Sequence, residues 1–156
     1  MKSVSRYIDK SSLESPVGLV LTNHNGRNNA MTVSFFSEAA HHPTTLWVSI
    51  AVRSYTHELI LSSGRFTLAV LHRGQREIAT VCGTRSGRDE DKCSKLSLRR
   101  SSTGFLFLNH ALANIACAVR STYPLGDHTI FIADILSGET ESRVSTSRHL
   151  LISDLV

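Results

Sequence analysis

Short apolar runs rich in β-branched residues, each closed by turn-forming residues, recur from residue 17 to residue 137 and limit the folds open to this chain. Residues 17–22, Val-Gly-Leu-Val-Leu-Thr, lie between Pro16 and the turn sequence Asn23-His24-Asn25-Gly26, and read as a strand entering a hairpin. Residues 29–35 and 45–52 read as further strands. The second alternates Leu46, Val48 and Ile50 with Trp47, Ser49 and Ala51, and His41-His42-Pro43 breaks the chain between the two. The spacing predicts strands over 65–71, 96–99 and 104–107. Two longer ones follow over 111–122 and 128–137, joined by Tyr123-Pro124-Leu125-Gly126-Asp127, which holds the Pro and Gly of a tight connection.

Helix signals are confined to two places. Ser54 is a good N-cap residue, the pattern of residues 55–63 is helical, and Gly64 stands where a helix C-cap would be. Residues 75–82 read as a second short helix, followed over 83–91 by a loop rich in Gly, Ser and Arg. Many short strands with one or two brief helices indicate a mainly β protein, a barrel with helical additions.

The 156 residues suit one domain, with 1–12 and 139–156 expected to be peripheral, and no repeat or linker divides the chain. With 41% hydrophobic and 19% charged residues, the composition is that of a chain able to bury a real core. The longest uncharged stretch near the middle, residues 105–119, is interrupted by Asn109, His110 and Asn114 and is too short for a membrane helix. No secretory leader is visible at the N-terminus, so a cytoplasmic protein is expected. Cys82, Cys93 and Cys117 form no C-x-x-C pair, which fits reduced thiols. The net charge of +4 is scattered apart from Arg85-Ser86-Gly87-Arg88 and Arg99-Arg100. That pattern does not read as a nucleic-acid surface, whereas a small phosphorylated ligand would use the same charge.

Arg53-Ser54-Tyr55-Thr56 sits at a strand-to-helix junction, where free backbone N–H groups, hydroxyls and a guanidinium suit an anion such as a phosphate. The same residues also suit a simple helix cap with a solvated arginine. Thr32 and Ser34 fall on one face of a strand, where they would bond either a polar planar ligand or water. Ser49, inside an apolar strand, has the same ambiguity. His128, after Gly126-Asp127, is placed either to polarise a ligand near neutral pH or to finish a turn. The chain contains neither G-x-G-x-x-G nor a P-loop, has no G-x-S-x-G elbow, and shows no metal-ligand spacing around His41-His42.

The order of these segments adds to what each offers singly. Asn29-Ala30-Met31-Thr32-Val33-Ser34 is followed by an apolar strand, then by V-R-S-Y-T-H-E-L-I-L-S-S-G-R-F, S-G-R-D-E-D-K and G-D-H-T-I-F-I-A-D. Over roughly residues 14–140 this series resembles the flavin reductase-like family, whose fold is the FMN-binding split β-barrel, a Greek-key barrel with a few short helices. The resemblance implies an NAD(P)H:flavin oxidoreductase. Such an enzyme binds FMN or FAD, takes hydride from NADH or NADPH, forms a homodimer and supplies reduced flavin to a monooxygenase. A flavin-binding electron carrier without nicotinamide turnover is the alternative.

Carried across, the resemblance puts Thr32 and Ser34 beside the flavin ring and ribityl chain, with Asn29 and Ala30 along the same edge. Ser49 and Ile50 would run along the flavin, Arg53, Ser54 and Thr56 would hold its phosphate, and Lys92 would sit at the pocket rim. His128 would lie near the isoalloxazine or the nicotinamide as the catalytic residue. Cys93 stands where the family commonly has Phe, and Ala133-Asp134 replace the usual Gly-Glu.

Overall fold

The computed structural model describes residues 13–141 and 148–155, so the expectations for residues 1–12 and for most of the polar segment 139–148 lie outside the described residues. The chain runs β1 (Gly18–His24), β2 (Arg27–Val33), β3 (Phe36–Ala40), β4 (Thr45–Ala51), α1 (Tyr55–Ser63), β5 (Arg65–Val70), α2 (Arg76–Thr84), β6 (Leu98–Arg100), β7 (Leu106–Leu108), β8 (Ala113–Leu125) and β9 (His128–Thr140). Short 3₁₀ turns lie at Arg73–Gln75, Lys92–Lys95 and Ile152–Leu155.

Seven strands form one antiparallel sheet in the order β2-β1-β5-β8-β9-β4-β3, while β6 and β7 form a separate ribbon. The two edge strands of the large sheet, β2 and β3, are separated in sequence only by Ser34 and Phe35. Two residues of extended chain reach little further than one strand spacing. The sheet therefore curls until its edges lie side by side, and the amide of Ser49 bonds Phe35 O at the join. Because β2 and β3 do not pair with each other, the barrel is split along this line.

Strand pleating explains the core. On β1, Val20 faces the barrel interior with Val48, Ile50, Phe66, Leu68 and Phe131. Leu19 and Leu21 face the opposite side, against Ala79 and Cys82 of α2 and Leu106 and Leu108 of the ribbon. Both faces are covered, which is why residues 17–22 are apolar without alternation.

Helix α1 begins and ends where its caps stand: Ser54 Oγ accepts from the His57 amide, and Gly64 adopts φ +69 with its amide on Ile60 O. Three departures from the sequence expectations are informative. The β8–β9 connection is only Gly126-Asp127, since pairing continues to Leu125↔His128. Strand β3 was not expected, because its Ser, Glu and Ala side chains are exposed and carry no alternation; pairing with β4 alone makes it a strand. The C-terminal segment is not peripheral throughout. Leu150 is fully buried, accepts from Val17 N and donates to Leu71 O, and Ile152 packs in the same cluster.

Candidate functional site

Among the described residues no strand pairs with the outer side of edge strand β2, and helix α2 with the turn Lys92–Lys95 packs along it instead. Clefts open between these elements. One of about 240 Å³ is lined by Asn29 and Met31 of β2, by Ser54, Tyr55 and Thr56 at the start of α1, and by residues 82–87 with Lys92. A second, of about 390 Å³, is lined by Thr32, Val33 and Ser34 with Ala79 and Thr80, and shares Gly83 and Thr84 with the first.

The first cleft gathers polar groups whose partners define their use. Asn29 is buried; its Nδ2 donates to Thr56 Oγ1 at 2.8 Å, while its Oδ1 is buried without a hydrogen-bond partner among the described residues. The Thr56 hydroxyl accepts from Asn29 and keeps its own proton for a further acceptor. Ser54 Oγ is doubly committed, donating to Ala51 O at 2.8 Å and accepting from His57 N at 3.1 Å. Its capping role is thus realised, and the remaining amides of the first turn of α1 stay available to an anion. Residues 85–88 close over this end: Arg27 donates to Gly87 O, Arg88 pairs with Glu58 of α1 at 2.8 Å, and both guanidinium groups lie over the Tyr55 ring. Only glycine fits at position 87, because a Cβ there would fall 1.8 Å from Asn29 Oδ1.

Lys92 is not at a rim. It is 4% exposed, and its Nζ donates to Arg85 O at 2.7 Å and Cys82 O at 3.2 Å, tying the end of α2 to the following loop. Burial pushes its ammonium below the ordinary lysine range. Thr32 and Ser34 share a cleft although β2 ends at Val33, and Thr32 Oγ1 donates to Ala79 O at 2.6 Å.

Other expected residues lie elsewhere. Ala30 is buried against α2, and Ile50 is buried in the barrel interior, so neither side chain reaches a cleft. Ser49 pairs with Ile130 in the sheet. Arg53 and His128 belong to a separate group at the β9 end, where His128 Nδ1 lies 2.8 Å from Asp127 Oδ1 and its ring lies 5.5 Å from that of Phe35. The Asp127 carboxyl is held below its usual range by the His128 hydrogen bond and charge, with a smaller effect of Arg53. Nearby, His57 Nε2 lies 2.8 Å from Thr129 Oγ1, and burial lowers its imidazole pKa.

Sequence reasoning missed Met31 and Tyr55 as lining residues, and read Arg85, Ser86 and Gly87 only as a polar loop. The cluster of Arg, Ser and Gly was the available signal, but contact with Tyr55 and Asn29 is made only by the fold.

This architecture, a split antiparallel barrel with polar clefts along its open edge, has clear relatives. The model of the flavin reductase like domain matches residues 10–153, and the chain belongs to that family. It is 33% identical over 111 residues to an uncharacterised Archaeoglobus fulgidus protein, covering 69% of this chain and 63% of that one. It is 30% identical over 125 residues to the reductase component of the FADH(2)-dependent resorcinol hydroxylase of Rhizobium sp., covering 80% of this chain and 68% of that protein. Among solved structures, the Streptomyces globisporus NADH:FAD oxidoreductase SgcE6 superposes with a TM-score of 0.85 at 17% identity, covering 100% of this chain and 94% of that one, a likeness of fold.

The residues present fit a flavin. Asn29 Oδ1 is an unpartnered buried acceptor, Met31, Val33 and Ala79 offer apolar surface, and the start of α1 with Arg85 offers an anion-binding end.

Proposed function

We propose that this protein is an NAD(P)H-dependent flavin reductase that binds FMN or FAD along the open edge of β2. The observation that carries this reading is the convergence, in one cleft of a flavin reductase-like domain, of the α1 N-terminus, the Thr56 hydroxyl and the unpartnered Asn29 Oδ1. In this assignment the amides of α1, Thr56 and Arg85 hold the phosphate, with Ser54 fixing the amides in place, while Arg53 stands with the His128 group. Thr32 and Ser34 face the ring and ribityl chain. Asn29 holds the Thr56 hydroxyl in place through its Nδ2, while the Ser49 amide is spent on Phe35 O and Ala30 contributes only through the main chain. Lys92 holds the cleft wall rather than the ligand.

When bound, the flavin supplies the redox centre, accepting at N5 the hydride that leaves nicotinamide C4. The protein's part is orientation and exclusion of water. No side chain need act as a nucleophile. His128, braced by Asp127 and set at a tilt against the Phe35 ring, is assigned to the approach of the nicotinamide.

The reductase component from Rhizobium supports a further reading, in which reduced flavin passes to a separate monooxygenase. A homodimer and a cytoplasmic setting complete the proposal; all three cysteines are free and buried, as a reducing compartment allows. The test is oxidation of NADH and NADPH by the purified protein with FMN, FAD or riboflavin, together with its visible spectrum. Turnover with a flavin preference is expected. Bound flavin without turnover would make the protein an electron carrier, and neither binding nor turnover would sink the flavin assignment.

A further inference from the structure

The cleft at the start of α1 and the His128 group at the start of β9 are joined by two consecutive side chains of one helix. Thr56 Oγ1 accepts from Asn29 Nδ2 at 2.8 Å, which ties the first turn of α1 to edge strand β2. His57 Nε2 lies 2.8 Å from Thr129 Oγ1, which ties the same turn to β9 at the residue after His128. In the sheet β1, β5 and β8 stand between β2 and β9, so this one turn spans the end of the curled barrel.

We infer that His57 is a positioning residue for hydride transfer: through Thr129 it holds the start of α1, and with it the flavin phosphate, in fixed register with the strand that carries His128. The inference rests on the flavin-reductase reading, which puts the phosphate on the α1 amides and the nicotinamide at His128. The His57 amide donates to Ser54 Oγ at 3.1 Å, so its main chain belongs to the cap that orients those amides while its side chain reaches across to β9. Thr129 is buried, and His57 is the partner of its hydroxyl; an imidazole and a hydroxyl satisfy each other in either tautomer. The ring is steadied further by its edgewise contact with Phe131, centroids 5.6 Å apart. A nine-residue helix has little stability of its own, so such contacts decide where its first turn lies. Placement matters to the reaction, because a shift of about 1 Å can cost about a hundredfold in rate.

Riboflavin lacks the phosphate, so the ratio of FMN to riboflavin affinity, measured calorimetrically on the full-length protein, reports the hold on that group alone. In His57→Leu and in Thr129→Val this preference falls about tenfold while riboflavin affinity stays within about twofold. The double variant loses no more than either single one, because both remove the same hydrogen bond. At saturating FMN, kcat with NADH falls by a similar factor with KM for NADH little changed, since register and not nicotinamide binding is at fault. His57→Gln, whose amide can reach Thr129 Oγ1, keeps the wild-type preference. Thr129→Val is nearly isosteric and carries the test if the leucine variant does not fold.

Equal weakening of both flavins, additive losses in the double variant, an unchanged kcat, or a glutamine variant that behaves like the leucine one would overturn the assignment. A wild-type protein that binds no flavin, or does not prefer FMN to riboflavin, would defeat the underlying reading instead. Amide NMR of the ligand-free protein then decides whether His57 sets the helix start. Thr129→Val shifts the Tyr55 and Thr56 amides and the Asn29 side-chain amide if His57 carries the contact, and no longer does so once His57 is leucine. Shifts confined to β9 and the strands paired with it overturn the inference.

Discussion

One buried and one half-buried polar side chain show how single residues set the site's shape and its response to pH. Lys92 is a charge whose hydrogen bonds to Cys82 O and Arg85 O join α2 to the loop over the cleft. Lys92→Met keeps the volume but strands two carbonyls, so thermal unfolding should show a loss of about 1–3 kcal/mol per unsatisfied group. Partial burial holds the His57 imidazole pKa below the ordinary 6.5 in the folded protein. The unfolded chain therefore binds this proton more readily, and stability should fall as pH drops from about 6.5 toward the folded value. Denaturant titrations at a series of pH values should show that slope, reduced in His57→Gln. Neither role was legible in the sequence. Lys92 stands in a run of charges, Asp89-Glu90-Asp91-Lys92, and only the fold turns it inward.

Among the elements, α1 was the most legible because its signals are local. Ser54 and Gly64 act on their own helix through hydrogen bonds three or four residues away. Ser54→Ala should lower stability by about 1 kcal/mol in thermal melts, since it removes the side-chain acceptor of the His57 amide. Strand β1 was equally readable, its apolar run reporting burial on two faces. Strand β3 was not, because pairing with β4 is a long-range contact that leaves no mark on exposed Ser37, Glu38, Ala39 and Ala40. The candidate site divides in the same way. The helix start and the common face of Thr32 and Ser34 were read from pattern, whereas Asn29, Ala30 and Ile50 rested on the family resemblance alone, and strand alternation turns the Ile50 side chain into the barrel.

At the scale of the molecule, the C-terminal segment closes the outer core. Leu150 sits between Val17 and Leu71 with no exposed surface. Leu150→Ala should cost about 2–5 kcal/mol, measured as a shift in denaturant midpoint with little change in slope. No single sequence feature announced this, since Leu150 follows a polar stretch and its burial depends on residues about eighty and more than a hundred positions earlier.

The open edge of β2 has one more consequence. An unpaired strand is a template on which another polypeptide can add, and folded proteins blunt such edges. Here α2 and the turn Lys92–Lys95 shield this one incompletely, leaving the two clefts along it. Whatever fills those clefts also acts as a chaperone of the edge, so solubility on storage or warming should track occupancy of the groove as closely as it tracks the strength of the core.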